Sequence, residues 1–317
     1  MRPRSGRGST PKPIVALAGV ALLSLGSASF ATAHEVQDDV PRTAVVSAFA
    51  PELSILKGEL ADASTYAVNG VEFSAGTLQG RDVVLFLSGI SIVNAAMTTQ
   101  LALDHFNVER IVFSGIAGGV DPSLKIGDIV IADRWGQYLE LVLAREVEGE
   151  WSMPPFFDYP YPNFGMMFPR AVTVQRAGAD APETRFWFPV DASLLVAARV
   201  AAADVELDQC TADDTCLRNT PRIVVGGAGV SGSAFVDNAA FREHTFDTFG
   251  AKVLDMESAA VAHVAYANGV PFIAVRSLSD LAGGGEGENQ MAVFLGLAAG
   301  NAAAVVKALL RSLPAEG

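Results

Sequence analysis

From Thr43 onward, short β-branched runs alternate with longer Ala- and Leu-rich segments, and Gly-rich turns close several of the runs. That alternation constrains the fold more than any other feature. Runs at 43–48, 83–88, 110–114, 128–132, 222–227, 252–255 and 271–276 read as strands. Patterns at 52–60, 91–106, 192–204, 238–247, 257–268 and 290–312 read as helices. Strands that are apolar nearly throughout need cover on both faces, so the expectation is an α/β sheet with helices on either side. Ligands of such sheets sit at strand carboxyl ends, where this chain has Ser88-Gly89, Gly115-Ile116-Ala117-Gly118-Gly119 and Gly226-Gly227.

Strand and helix signals continue on both sides of an irregular middle, about 134–221, so one domain over 43–317 with an insertion is expected. Within that middle, 151–169 holds 5 of the 16 prolines and 7 of the 26 aromatic residues. The prolines exclude a helix or central strand, and the aromatics argue against a solvated linker. An ordered loop remains, packed as a lid, at a subunit interface or on the domain's own surface.

The first 33 residues read differently. Arg2, Arg4, Arg7 and Lys12 precede an apolar run, Ile14–Leu25, and the small-residue site Ala31-Thr32-Ala33. This is the pattern of a cleaved secretory signal peptide, and the apolar run is short of the roughly 20 residues that span a bilayer. The expectation is therefore an exported protein, periplasmic or secreted, with 34–42 a loose, acidic lead-in. Without those four cations, 18 basic residues face 35 acids and the net charge moves from −13 to −17. Such a balance argues against nucleic acid and anionic membrane as partners. No stretch after residue 33 is read as long and apolar enough to cross a membrane.

Two cysteines, Cys210 and Cys216, bracket a polar stretch. In an exported protein they read as a local disulfide. A zinc site fails on ligand count, because none of His34, His105, His244 and His263 lies near them at ligand spacing. No metal is expected.

Four carboxyl groups, on three motifs, fall where a site can form. Glu52 follows the first strand, Asp255-Met256-Glu257 joins a strand to the helix at 257–268, and Asp280 closes Arg276-Ser277-Leu278-Ser279-Asp280. Each also has a plain structural reading, since acids favour helix N-termini and aspartates favour loops. The turn Gly115–Gly119 reads as a loop whose backbone N–H groups are free for a ligand oxygen. It lacks the Lys-Ser/Thr of a P-loop.

Taken together, these blocks resemble the nucleoside phosphorylase/nucleosidase superfamily, in particular the 5′-methylthioadenosine/S-adenosylhomocysteine nucleosidases and the exported bark-storage-type proteins of plants. The resemblance covers roughly 43–133 and 222–312. It rests on Ala48-Phe49-Ala50-Pro51-Glu52, Ser88-Gly89-Ile90, Gly115–Gly119 with Lys125-Ile126-Gly127-Asp128, and Ser231-Gly232-Ser233-Ala234-Phe235-Val236. It is strongest in Asp255–His263 and Val275–Asp280. The implied fold is a single-domain, three-layer α/β/α with a central mixed, twisted sheet. The implied activity is hydrolysis of the N-glycosidic bond of a purine nucleoside, without metal or organic cofactor, by a homodimer.

The resemblance also implies roles. Glu52 is the general base for water and Asp280, after Ser279, the acid that protonates the purine at N7. Met256 and Glu257 hold the ribose, Phe235 stacks on the base, the backbone of Val236 reads its edge, and Ile90, Ala117 and Gly118 line the sugar side. Glycosidic cleavage passes through an oxocarbenium-like state, so it wants a carboxylate near the sugar and an acid near the leaving base. On that chemistry Asp280 needs a raised pKa and Glu257 an ionised carboxylate. Ile116 stands where many nucleosidases have serine. Two other readings are weighed: a phosphorylase, disfavoured because Phe49–Glu52 offers an acid and no arginine to phosphate, and a non-catalytic storage protein, for which three intact carboxyls have no use.

Overall fold

The computed structural model describes residues 36–285 and 287–314; the expected signal peptide lies outside the described residues. The chain runs β1 (Asp38–Ser47), α1 (Ala50–Lys57), β2 (Ala61–Val68), β3 (Val71–Leu78), β4 (Arg81–Leu87), α2 (Ile92–His105), β5 (Phe106–Gly119), β6 (Ile129–Ile131) and β7 (Arg134–Gln137). Six short strands follow: β8 (Leu141–Leu143), β9 (Arg145–Val147), β10 (Glu150–Ser152), β11 (Met167–Pro169), β12 (Val172–Val174) and β13 (Glu183–Arg185). Then come β14 (Trp187–Pro189), α3 (Ala192–Ala203), β15 (Ile223–Val225), β16 (Ala228–Ser231), α4 (Ala239–Phe249), β17 (Ala251–Asp255), α5 (Ser258–Asn268), β18 (Phe272–Asp280) and α6 (Met291–Ser312).

The main sheet is ordered β14-β7-β16-β17-β5-β1-β4-β3-β2, with β18 beside β5, β6 beside β18 and β15 beside β6. β1, β4, β5 and β18 run parallel, whereas β17 meets β5 antiparallel, so the sheet is mixed as expected. Val45, Val46, Val83, Val84, Val112, Phe113, Ile273 and Val275 are fully buried at its centre. Each such side chain contributes about 1.5–3 kcal/mol of burial. Helices α1, α3 and α6 pack together, as do α2 and α5. Local chemistry sets their ends: Asn238 caps α4 by accepting from Phe241 N, and Gly250 and Gly269 end α4 and α5 in the left-handed conformation.

Several expectations change. β1 begins at Asp38, so the lead-in is not loose beyond residue 37; Asp38 pairs with Arg42 and the strand registers on β5. The turn read at Gly115–Gly119 is the last third of β5, which pairs β18 and β17. The middle of the chain is threaded into the domain: β7 and β14 join the main sheet, Trp135 and Phe188 are fully buried, and α3 packs on α6. Helix α6, at 22 residues, is long and apolar enough by length and composition to cross a membrane, contrary to the reading above. It is apolar nearly all round because Leu297, Val305, Val306, Leu309 and Leu310 are buried, in a helix that packs on β5, β18, α1 and α3.

The proline- and aromatic-rich segment packs on its own domain. Tyr161 meets Phe186 and Phe249 and accepts from Trp187 Nε1 at 2.8 Å, while Phe164 meets Phe241 and His244. Phe156 and Trp151 stay exposed. Cys210 and Cys216 are joined by a disulfide.

Candidate active site

The carboxyl ends of β1, β4, β5, β17 and β18 converge on a cavity of about 340 Å³. All ten residues expected at a site line it: Glu52, Ile90, Ala117, Gly118, Phe235, Val236, Met256, Glu257, Ser279 and Asp280. Ile90 and Phe235 are exposed at its mouth, and the three carboxyls are buried. Asp255 and Ile116, both marked by the sequence, line it too, as do Phe49, Met291 and Leu295, to which the sequence assigns no part in a site. Ile116 thus presents an alkyl side chain to the cavity in the place where many nucleosidases have a hydroxyl.

Glu52 is the third residue of α1. Its Oε2 accepts from Ala48 N (2.8 Å) and Phe49 N (3.3 Å), and its Oε1 accepts from Ile116 N (2.8 Å). The backbone of β1's exit and of β5 therefore locks the carboxylate in place through three hydrogen bonds and leaves one acceptor position, on Oε1, for a further donor. Burial pushes its pKa up, opposed by Arg276 and these N–H groups.

Arg276, fully buried on β18, was not anticipated at the site. Its guanidinium lies 4.0 Å over the Phe113 ring. Nε donates to Ser258 Oγ at 2.9 Å and sits 2.7 Å from Asp255 Oδ2, an ionic contact because its N–H aims at the serine. Nη2 is 3.7 Å from Glu257 Oε2. Gly115 makes room for this group: a Cβ there would stand 2.1 Å from Arg276 Nη1 and 2.8 Å from Glu52 Oε1. Asp255, in turn, accepts from Glu257 N, Ser258 N and Ser231 Oγ, so it fixes the first turn of α5.

Glu257 precedes α5, and its Oε1 accepts from Ser91 N at 2.8 Å. Burial first, then the Asp255 charge, push its pKa up to about 7, against the expectation of a simple ionised carboxylate. The reason is geometric: the buried cation sits closer to Asp255 than to Glu257. Asp280 closes β18, with Oδ1 accepting from Ala282 N (2.8 Å) and Oδ2 from Ser279 Oγ (3.1 Å). Burial raises its pKa, the direction that keeps an acid protonated. Of the backbone N–H groups in Gly115–Gly119, that of Ile116 is committed to Glu52, and the stretch registers on β18 and β17 as strand rather than as an open turn.

Fold and cavity together define an α/β protein with buried carboxyl groups around a cavity at the strand ends. Residues 42–311 match the model of the phosphorylase superfamily, and the chain belongs to that superfamily. It is 32% identical over 272 residues to the 5′-methylthioadenosine/S-adenosylhomocysteine nucleosidase of Psychromonas ingrahamii, across 85% of this chain and 98% of that one. It is 29% identical over 224 residues to bark storage protein A of Populus deltoides, across 69% and 72%. A nucleosidase of the same name from Colwellia psychrerythraea 34H, solved with adenine, superposes with a TM-score of 0.64 at 27% identity, across 86% of this chain and 95% of that one.

Proposed function

We propose that this protein hydrolyses the N-glycosidic bond of a purine nucleoside of the methylthioadenosine and adenosylhomocysteine class, releasing free base and sugar. The observation that carries the reading is the cavity wall: Glu52, Asp255, Glu257 and Asp280 line it, and none of the residues lining it is basic. Positive charge developing on the sugar is stabilised there, whereas a phosphate nucleophile meets only acids. Asp280 gives its proton to the departing purine, Glu257 with Met256 holds the ribose, and Glu52 takes the proton of the attacking water. Phe235 stacks on the base beside the Val236 backbone. The apolar remainder of the wall, Phe49, Ile90, Ile116, Met291 and Leu295, suits a thioether substituent rather than a free 5′-hydroxyl.

The protein works as an exported homodimer. Export rests on the signal pattern of residues 1–33, together with the disulfide. Pairing is supported by Ile90, Val93 and Met97, apolar and exposed together at the start of α2 beside the cavity mouth; light scattering should return twice the chain mass. The main test is a nucleoside panel incubated with residues 34–317, with and without phosphate. Free adenine and unphosphorylated thiosugar at equal rates in both are expected. Strictly phosphate-dependent cleavage, or none, would overturn the assignment.

A further inference from the structure

Ser91 sits between β4 and α2 with φ 84° and ψ 159°. That combination is a region populated essentially by glycine, and a side chain held there signals strain retained for a purpose. Serine commonly caps a helix by accepting from the first-turn N–H groups, yet Ser91, at the cap of α2, makes no such bond. All its polar groups are committed elsewhere. Its N–H donates to Glu257 Oε1 at 2.8 Å, its hydroxyl donates to Ser233 Oγ at 2.9 Å, and its carbonyl accepts from Ala95 N at 3.0 Å.

The first two of these bonds join separate parts of the cavity wall. Ser91 follows Ile90, which lines one side, and Ser233 lies two residues before Phe235, which lines another. The loop after β4 and the loop after β16 have no other side-chain hydrogen bond between them among the described residues. The cost of the backbone conformation is thus offset by one N–H aimed at a buried carboxylate and one hydroxyl bridge between two walls.

We infer that Ser91 is a positioning residue, whose strained backbone orients Glu257 and whose hydroxyl clasps the sugar-side wall of the cavity to the base-side wall through Ser233. The inference rests on the reading that Glu257 holds the ribose. Glycine at 91 removes the strain and the clasp together and lets the N–H wander. Alanine at 91, or at 233, removes the clasp alone.

Steady-state kinetics with methylthioadenosine and thermal melts of Ser91→Gly, Ser91→Ala, Ser233→Ala, the double alanine variant and Glu257→Gln test it. Ser91→Gly should melt about 2–4 °C higher while kcat/KM falls about tenfold, the order set by loosening one hydrogen bond to a charged group. Ser91→Ala and Ser233→Ala should each raise KM with kcat held, and the double variant should be no worse than either single one. Ser91→Gly with unchanged kcat/KM, or with a lower melting temperature, would overturn the inference while turnover in Glu257→Gln is reduced. Full turnover in Glu257→Gln would instead overturn the role given to Glu257, and the inference with it.

Discussion

Replacing Glu257 by glutamine should flatten the dependence of stability on pH. The carboxyl is buried and rises from an ordinary 4.5 to about 7, because desolvation and the Asp255 charge outweigh Arg276 at 3.7 Å and the Ser91 N–H. A carboxyl raised in the folded state holds its proton where the unfolded chain has released it. Its stabilising contribution is therefore complete below about pH 4.5 and lost as pH climbs through about 7. At 1.36 kcal/mol per pH unit, the gap is worth about 3 kcal/mol, most of which falls between pH 5 and pH 8. Glutamine still accepts the Ser91 N–H and fills the same space without titrating. Urea unfolding at pH 5 and pH 8 should thus show wild type losing about 2–3 kcal/mol more than Glu257→Gln. Both proteins keep a further slope of the same sign from Glu52 and Asp280, which burial also raises. Parallel stability curves for the two proteins would refute the reasoning, since they would mean that Arg276 neutralises Glu257 as fully as it does Asp255.

Asp280→Asn should lower base release by about 10²–10⁴-fold with the fold intact; unchanged turnover in the nucleoside assay would remove the proton-donor role. The pH–rate profile of kcat/KM should rise as Glu257 ionises near pH 7; a profile flat from pH 6 to 9 would contradict its role as the ionised carboxylate at the ribose. Gly115→Ala puts a carbon 2.1 Å from a guanidinium that Phe113 backs at 4.0 Å, so it should cost about 3 kcal/mol or more and most of the activity, read by melting temperature and turnover. Replacing both Cys210 and Cys216 by serine should cost about 2 kcal/mol, the entropy of closing so short a loop, and leave kcat unchanged, because neither residue lines the cavity.

The parallel core and all six helices were legible in the chain because their burial leaves a plain apolar signature. What escaped has a physical pattern. The hairpin β2–β3 shows mostly exposed residues on β2, so it carries no apolar run. It announces itself only through Asn69-Gly70 and Gln79-Gly80, whose positive φ at both positions makes the tight reverse turns that join β2, β3 and β4. Strand β16 hides behind Gly226-Gly227, a glycine pair that reads as the end of a strand although another begins directly after it. Gly115–Gly119 was misread for the related reason that glycines in a strand mark close approach as often as a turn; at Gly115 the approaching group is Arg276.

Arg276 itself was readable in principle. It lies inside Pro271–Arg276, an otherwise apolar strand, and an arginine in a buried strand must have partners. The acids that could serve were already singled out as site residues, so the cation belonged among them. Motif reading assigns roles to groups that touch a ligand, and Arg276 does not line the cavity. Its work is electrostatic: its one buried positive charge opposes the rise that burial imposes on Glu257 and Glu52, while its closest carboxylate contact is to Asp255. Because Asp255 takes the closest contact, Glu257 and Glu52, the two carboxyls proposed above to act at the sugar, stay raised by burial. A site that stabilises a cationic sugar benefits from this arrangement, since a positive charge arriving in the cavity relieves the repulsion that the resting protein carries.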